Sequence, residues 1–527
     1  MTASRDADAA ALARKILSEI FGFDDFRSSQ AVVVAALMAG RNVLAVMPTG
    51  SGKSLCYQVP ALSMEGLAIV VSPLVALMED QVAALRRRNV QAETINSSRS
   101  REDNVAAWRR VTSGETRLLY LSPERLMTER MLSALEKLSV SLIAVDEAHC
   151  ISQWGPAFRP EYESLARLRD HFPHIPIAAF TATADEVTRS DVAAKLLGGQ
   201  AVIHVAGFDR PNIHLKVMPR DNASRQLTSF LTDHTGESGI VYCLSRKKAD
   251  ETARLLADKG LRALPYHAGM TAEARGANQR EFQESPGVIM VATIAFGMGI
   301  DKPDVRFVFH ADIPGSIEAY YQEIGRAGRD GLPADACMLY GLDDIRMRRR
   351  FIDDEESDDD RKRREHQRLN ALIGYCEAPD CRRRPLLAYF GEATEPCGNC
   401  DLCLNPVELV DGAQEARIAL NAVIATGQRF GAAHLVAVIC GSENEKILRF
   451  GHDRLTVFGM GTGHSVPQWR SILRQLIAKG YLEIDIGGYG GISTTKSGQA
   501  LLKGRGEFRY RADFALAPKR RPRRRTR

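Results

Sequence analysis

Nowhere in this 527-residue chain does an apolar run approach the roughly 18 residues that span a bilayer, and stretches such as residues 67–71 fall well short. No membrane helix is expected. Cysteine is sparse, ten in the whole chain, which excludes the dense disulfide framework of a small secreted protein. The opening residues Met1-Thr2-Ala3-Ser4-Arg5-Asp6 have no apolar core segment behind them, so no secretory signal is expected either. Self-similarity at a period of about 20 to 50 residues is missing, which argues against a solenoid or propeller. A global excess of charge is missing too: the net charge is +5, and seven of the nine residues 519–527 are basic, more than enough to account for it. Any attraction to phosphates is therefore local. That tail either grips nucleic acid by counterion release or is a solvated end that does little.

What is present is the composition of a folded protein, 45% apolar and 26% charged, in a chain long enough for about three or four domains. Short runs rich in Val, Ile and Ala at residues 42–47, 68–71, 118–121, 142–145 and 177–180 alternate with helical segments. A second series follows at 239–243, 262–266, 288–291, 305–310 and 336–340. Such alternation predicts parallel sheets covered by helices on both faces, here two α/β domains in tandem. The acidic run 353–360, met directly by Arg361-Lys362-Arg363-Arg364, breaks the rhythm and reads as solvated charge at exposed helix ends, with a boundary near Leu342. Asn405-Pro406 marks a turn, and helices follow from Asp411 to a last one over 467–479. Residues 482–486 and 492–494 then flank a Gly-Gly-Tyr-Gly-Gly tip centred on Tyr489, a β-hairpin. Helices followed by such a hairpin suggest a winged helix.

The first strand runs into Met47-Pro48-Thr49-Gly50-Ser51-Gly52-Lys53-Ser54. Glycines in such a loop let backbone N–H groups converge on phosphates at a helix N-terminus, Lys53 reaches the terminal phosphates and Ser54 ligates Mg²⁺. A strict match would put Gly where Met47 stands, so this is a relaxed form. The run 142–145 ends in Asp146-Glu147-Ala148-His149, which supplies a Mg²⁺ partner in Asp146 and a water-activating base in Glu147. Alone, either motif could be a Gly-rich turn or an exposed helix start; together they predict NTP hydrolysis. In the second α/β domain, Gln322-Glu323-Ile324-Gly325-Arg326-Ala327-Gly328-Arg329 places two arginines three apart on one helix face. They could clamp the γ-phosphate from across a cleft as arginine fingers, and the pattern leaves open which of Arg326 and Arg329 is the principal one.

This set of motifs resembles superfamily 2 helicases and, within them, the RecQ family of DNA-unwinding enzymes, over residues 21–508. The resemblance implies an α/β architecture of two tandem RecA-like parallel-sheet domains, followed by a helical zinc-binding subdomain and a winged-helix domain. The divisions expected are 1–205, 206–342, 343–408 and 409–515, with 516–527 a basic disordered tail. Phe21-Gly22-Phe23 with Arg27 and Gln30 looks like the adenine-reading segment, which adds Phe23, Arg27 and Gln30 to a nucleotide site formed by Thr49, Gly50, Ser51, Gly52, Lys53, Ser54 and Gln322. Residues 72–77, 181–183, 245–246 and 295–301 fall where the family has its DNA-contacting and coupling motifs.

The stretch 151–162 is the most family-like. There Trp154, Phe158 and Arg159 are expected to touch single-stranded DNA and couple it to ATP hydrolysis, each stacked base worth about 1 to 3 kcal/mol. Two departures stand out: Ser28-Ser29 replace the usual Pro-Gly, and Pro156-Ala157 replace a more polar pair. Cys397, Cys400 and Cys403 suggest a structural Zn²⁺ site, and the resemblance selects Cys381 over Cys376 as the fourth thiolate. In the winged helix, residues 465–479 look like a recognition helix and Tyr489 sits where the family places a tip at the duplex fork, either a wedge or only a mobile turn.

The implied protein is a cytoplasmic DNA helicase, nucleoid-associated in a bacterium. It uses ATP, Mg²⁺ and Zn²⁺ to move 3′ to 5′ on single-stranded DNA and to part duplex at junctions during repair and recombination. A single-stranded-DNA-binding protein is the protein partner suggested. Two alternatives stay open: an RNA helicase of the same superfamily, and a DNA-binding protein whose ATPase only switches affinity.

Overall fold

The computed structural model of the protein describes residues 2–152, 159–294, 296, 302–355, 358–484 and 491–512. Two parallel sheets dominate it. The first is built from β1 (Val43–Val46), β2 (Leu67–Val71), β3 (Ala92–Ile95), β4 (Leu118–Leu121), β5 (Val140–Val145), β6 (Ile177–Thr181) and β7 (Val202–Val205), in the spatial order β3-β4-β2-β5-β6-β1-β7. Every residue of β1 to β6 is buried, because helices cover both faces of a parallel sheet, and all of these strands except β3 are predominantly apolar. Only β7, at the edge, alternates between half-buried and exposed.

The second sheet comprises β8 (Ile213–Pro219), β9 (Ser238–Tyr242), β10 (Ala263–Tyr266), β11 (Ile289–Ala292), β12 (Val305–His310) and β13 (Ala334–Tyr340), ordered β10-β11-β9-β12-β13-β8. Gly239 in β9 lies under the Phe307 ring of neighbouring β12, so close that a Cβ there would sit 2.1 Å from the ring. The aromatic ring takes the volume that a side chain on the central strand would need.

Beyond β13 the chain turns helical at Leu342–Asp354, and Asp358 caps the helix Asp359–Cys376 by accepting from the Arg361 N–H. The acidic residues Asp358, Asp359 and Asp360 thus sit at a helix N-terminus, where a capping carboxylate satisfies an N–H group and negative charge suits the positive end of the helix dipole, while Asp353 and Asp354 close the helix before it. Short helices Arg383–Tyr389 and Asp401–Leu404 frame the cysteine cluster. Helices Ala413–Ala425, Ala432–Ile439, Glu445–Phe450 and Val466–Ala478 then precede the antiparallel strands Leu482–Ile484 and Ile492–Thr494, and Leu409–Asp411 pairs with Arg509–Arg511.

The helix expected to read DNA, Val466–Ala478, is largely buried: every residue from Ser471 to Ile477 is covered, and Trp469 donates to the Gly461 carbonyl at 2.7 Å. Its first turn, with Val466, Pro467 and Arg470, is the exposed part. Among the described residues no helix is long and apolar enough to cross a membrane.

Candidate nucleotide site and cysteine cluster

At the carboxyl ends of the first sheet, β1 leads into the phosphate loop and β5 into the acidic pair, with β6 between them. Ligands of open α/β sheets bind at this end of the strands. Thr181 closing β6 ties the three together: its carbonyl accepts from Met47 N at 2.9 Å, and its hydroxyl lies 2.8 Å from His149 Nδ1. Burial brings the His149 imidazole down to about 4, so it is neutral at physiological pH.

Within the loop, Gly50 and Gly52 both have φ of +80°, a conformation that L side chains rarely adopt. Ser54 leads the helix Leu55–Ser63. Lys53 donates to the carbonyls of Met47 at 3.1 Å and Pro48 at 3.4 Å. Burial pulls its pKa down, while Glu147 and Asp146 hold the charge on it. The same burial, with Glu147 beside it, pushes Asp146 up to about 6. Glu147 has φ of +49°, unusual for a non-glycine residue and of a kind that clusters at functional sites. A cation beside these carboxylates would offset the burial of their charge, and Ser54 with Asp146 is a donor set of the oxygen type that Mg²⁺ takes.

Gln30 and Arg27 also reach the loop. Gln30 is 4% exposed and donates to the Ser51 carbonyl at 2.9 Å, while its Oε1 accepts from Arg27 N at 3.0 Å. Arg27 donates to the Gly50 carbonyl at 3.1 Å. The glutamine amide is thus committed to the phosphate loop and the start of its own helix, and an adenine would have to take these bonds over. Phe23 stands 51% exposed nearby in sequence.

Across the cleft, the second lobe meets this loop directly. Thr49 Oγ1 donates to the Gly325 carbonyl at 3.2 Å, a contact between residues 276 apart. The stem of Arg329 packs over Gly50, its Cγ 3.3 Å from where a Cβ would be. Arg326 is 8% exposed and turned to Tyr242 within its own lobe, where it works against the burial that raises the Tyr242 phenol. Gln322, expected at the nucleotide, donates to the Thr183 hydroxyl at 2.6 Å. Arg159 donates to the Pro73 carbonyl at 3.3 Å, joining the loop after the acidic pair to residues 72–77. Trp154, Phe158, Tyr489, the basic tail and residues 295–301 other than Phe296 lie outside the described residues. Sequence reasoning passed over Arg210, a lone arginine before Pro211 with no repeat or spacing to mark it, which bridges the two lobes.

Cys381, Cys397, Cys400 and Cys403 converge with all Sγ atoms within 4.8 Å of one another, and Cys397 Sγ lies 3.9 Å from Cys403 Sγ. Zn–S bonds of about 2.3 Å require sulfurs about 3.8 Å apart in a tetrahedron, so the cluster fits that ion. Backbone N–H groups of Cys397, Asn399 and Cys403 point at Cys381, Cys397 and Cys400 sulfurs respectively. Burial pushes the Cys381 thiol up, yet N–H groups of Cys397 and Arg384 bring it down to about 7. Cys376 is buried outside the cluster.

A lobe ending in a phosphate loop and paired carboxylates, closed by a second lobe that sets an arginine over that loop, defines the class: a two-lobed P-loop nucleotide hydrolase. Comparison with known proteins narrows it. Residues 27–190 match the family described as DEAD/DEAH box helicase, 222–331 the helicase conserved C-terminal domain, 342–404 the RecQ zinc-binding family and 406–518 the RQC domain. The chain is 42% identical over 494 residues to the ATP-dependent DNA helicase RecQ of Haemophilus influenzae, covering 93% of this chain and 80% of that one. Its counterpart in Bacillus subtilis is 37% identical over 495 residues, covering 93% and 84%. Among solved structures, the helicase Lhr of Mycobacterium smegmatis bound to single-stranded DNA and AMP-PNP shares the fold at a TM-score of 0.53 and 18% identity, over 94% of this chain and 62% of that one. The chain belongs to the RecQ family of helicases.

Proposed function

We propose that the chain is an ATP-dependent DNA helicase that loads on single-stranded DNA, moves 3′ to 5′ and parts duplex at junctions in repair and recombination. The observation that carries this is the closed cleft, with Arg329 packed over the phosphate loop, in a chain whose relatives are named DNA helicases. Lys53 holds the terminal phosphates, Glu147 draws the proton from the attacking water, and Arg329 serves as the principal finger while Arg326 supports it from within its lobe. Phe23, Arg27 and Gln30 read the base; Thr49, Gly50, Ser51 and Gly52 cradle the phosphates; Gln322 reports the state of the cleft through Thr183. Ser54 and Asp146 would hold Mg²⁺, which supplies charge neutralisation at the β- and γ-phosphates.

The four cysteines would hold a structural Zn²⁺ whose binding energy contributes to folding of the region 343–408. Trp154, Phe158 and Arg159 contact single-stranded DNA, and Tyr489 works at the fork. The modules are 1–205, 206–342, 343–408 and 409–515, ahead of a basic tail. A single-stranded-DNA-binding protein is a fitting partner, and the work is cytoplasmic, at the nucleoid in a bacterium.

Strand separation of a duplex with a 3′ single-stranded DNA tail, beside an RNA equivalent and a Lys53→Ala control, tests the reading. Separation of the DNA alone, lost in the control, is expected. DNA-stimulated ATP hydrolysis without separation would sink it in favour of an ATP-switched binding protein.

A further inference from the structure

The segment joining the two lobes, residues 206–212, holds an arginine that reaches both of them. Arg210 Nη1 donates to the carbonyl of Thr49 in the phosphate loop and to that of Gly325, each at 3.2 Å. Its Nη2 donates to the carbonyls of Ala327 at 3.0 Å and Gly328 at 2.9 Å. Three of these four acceptors lie in the turn between the helix Ile317–Ile324 and Arg329. Carbonyls at a helix C-terminus have no partner within the helix, and a cation there also meets the negative end of its dipole. A guanidinium fork can serve several carbonyls in one plane, which the point charge of a lysine cannot.

The linker around Arg210 is itself fastened. Phe208 stacks on Phe390 at 4.6 Å between ring centres, and the Phe208 carbonyl accepts from the Tyr321 hydroxyl at 2.8 Å. Asp209 receives Arg383, and Asn212 donates to the Gly328 and Leu332 carbonyls. Arg210 is therefore a short, braced strut between a fixed hinge, the phosphate loop and the turn that ends in Arg329.

We infer that Arg210 is a positioning residue for ATP hydrolysis, setting the turn that delivers Arg329 to the phosphate loop when the lobes close. This rests on the proposed role of Arg329 and goes beyond it. The four bonds of Arg210 run to main-chain carbonyls, three of them in the turn that ends in Arg329, so it acts by placing that turn against the phosphate loop.

The test is DNA-stimulated ATP hydrolysis by the full, zinc-loaded chain, with kcat and KM for ATP measured for Lys53→Ala, Arg329→Ala, Arg210→Ala, Arg210→Lys and Arg210→Ala/Arg329→Ala. Arg210→Ala is expected to lower kcat about 10- to 100-fold, the scale of a slightly misplaced group, with KM within about three-fold of wild type. Arg210→Lys should fall between. Residues that act as one unit are not additive, so the double variant should be no more than about two-fold worse than Arg329→Ala. Should Arg210→Ala fail to fold, Arg210→Lys in the presence and absence of Arg329→Ala decides in its place.

Wild-type kcat in both Arg210 variants overturns the inference, and so do losses that multiply with that of Arg329→Ala. If Lys53→Ala hydrolyses ATP at the wild-type rate, the reading of the whole cleft fails and the inference with it. If Lys53→Ala is inert while Arg210 proves dispensable, only the inference falls.

Discussion

Gly325 shows how much a single missing Cβ controls. It ends its helix at φ −61°, an ordinary helical angle that alanine tolerates well. A Cβ there would nevertheless sit 2.5 Å from Thr49 Oγ1 in the opposite lobe. Gly325→Ala should therefore leave the second lobe folded, with an unchanged melting temperature, and reduce kcat for ATP hydrolysis by about ten-fold or more by holding the cleft ajar. An unimpaired kcat would mean that the Thr49–Gly325 approach is not part of the working geometry. Arg326 and Arg329, equivalent in the sequence pattern, differ for a similarly local reason: one is turned inward to Tyr242, the other is laid over Gly50.

At the scale of elements, the winged helix contains a buried pair, His434 Nε2 to His452 Nδ1 at 2.7 Å, beside Phe430, with Arg429, Lys446 and Asp453 as the charged neighbours. Burial, then His452 and Lys446, lower His434 to about 4, and burial also lowers His452. A histidine of ordinary pKa, about 6.5, takes up its proton sooner once unfolded. The unfolded chain therefore binds more protons below that pH, and stability is full above about 6.5 and lost progressively as pH falls toward about 4. Urea unfolding followed across that range should show the midpoint dropping on acidification, and His434→Gln should flatten the drop. A midpoint as pH-sensitive in the variant as in the wild type would count against the pair.

The elements themselves were unevenly legible. Strands such as β4 and β12 could be read to the residue, because burial on both faces makes their runs predominantly apolar. Three strands of the two parallel sheets escaped: β3, β7 and β8. All lie at sheet edges. In β3 the buried Glu93 is held by Arg110 at 2.6 Å and Arg86 at 2.7 Å, so a charged residue occupies a core position through partners distant in sequence. β7 and β8 alternate in burial because one face is less covered. The phosphate loop and acidic pair were legible because phosphate chemistry fixes their local spacing; Arg210 was not, since its four acceptors come together only in three dimensions.

Across the whole molecule, the cysteine region acts as a brace at the hinge. Cys400 bridges to Leu215 in β8, Arg383 holds Asp209, Glu392 accepts from Phe208 N at 2.6 Å, and Arg189 of the first lobe donates to the Phe390 carbonyl. Loss of the cluster should thus reach the nucleotide cleft although no cysteine of the cluster lines it. Cys400→Ser, or stripping with a chelator, is expected to lower bound zinc, the melting temperature and ATP turnover in parallel, with ADP binding retained by the first lobe. Full turnover in a zinc-free chain would show that the brace is dispensable.

The arrangement of strands also sets a schedule for synthesis. The phosphate loop and acidic pair emerge from the ribosome early, but Gly325 and Arg329 follow some hundreds of residues behind. β8 cannot find its neighbour β13 until Tyr340 has been made, and its far edge waits for Cys400. At about 5 to 20 residues per second, a nascent first lobe has many seconds in which to fold alone. Through that interval it carries half of a nucleotide site and none of the groups that complete it. If Arg329 has the role proposed for it, a truncated or stalled chain would hold nucleotide without hydrolysing it, because the site is split between distant stretches of sequence.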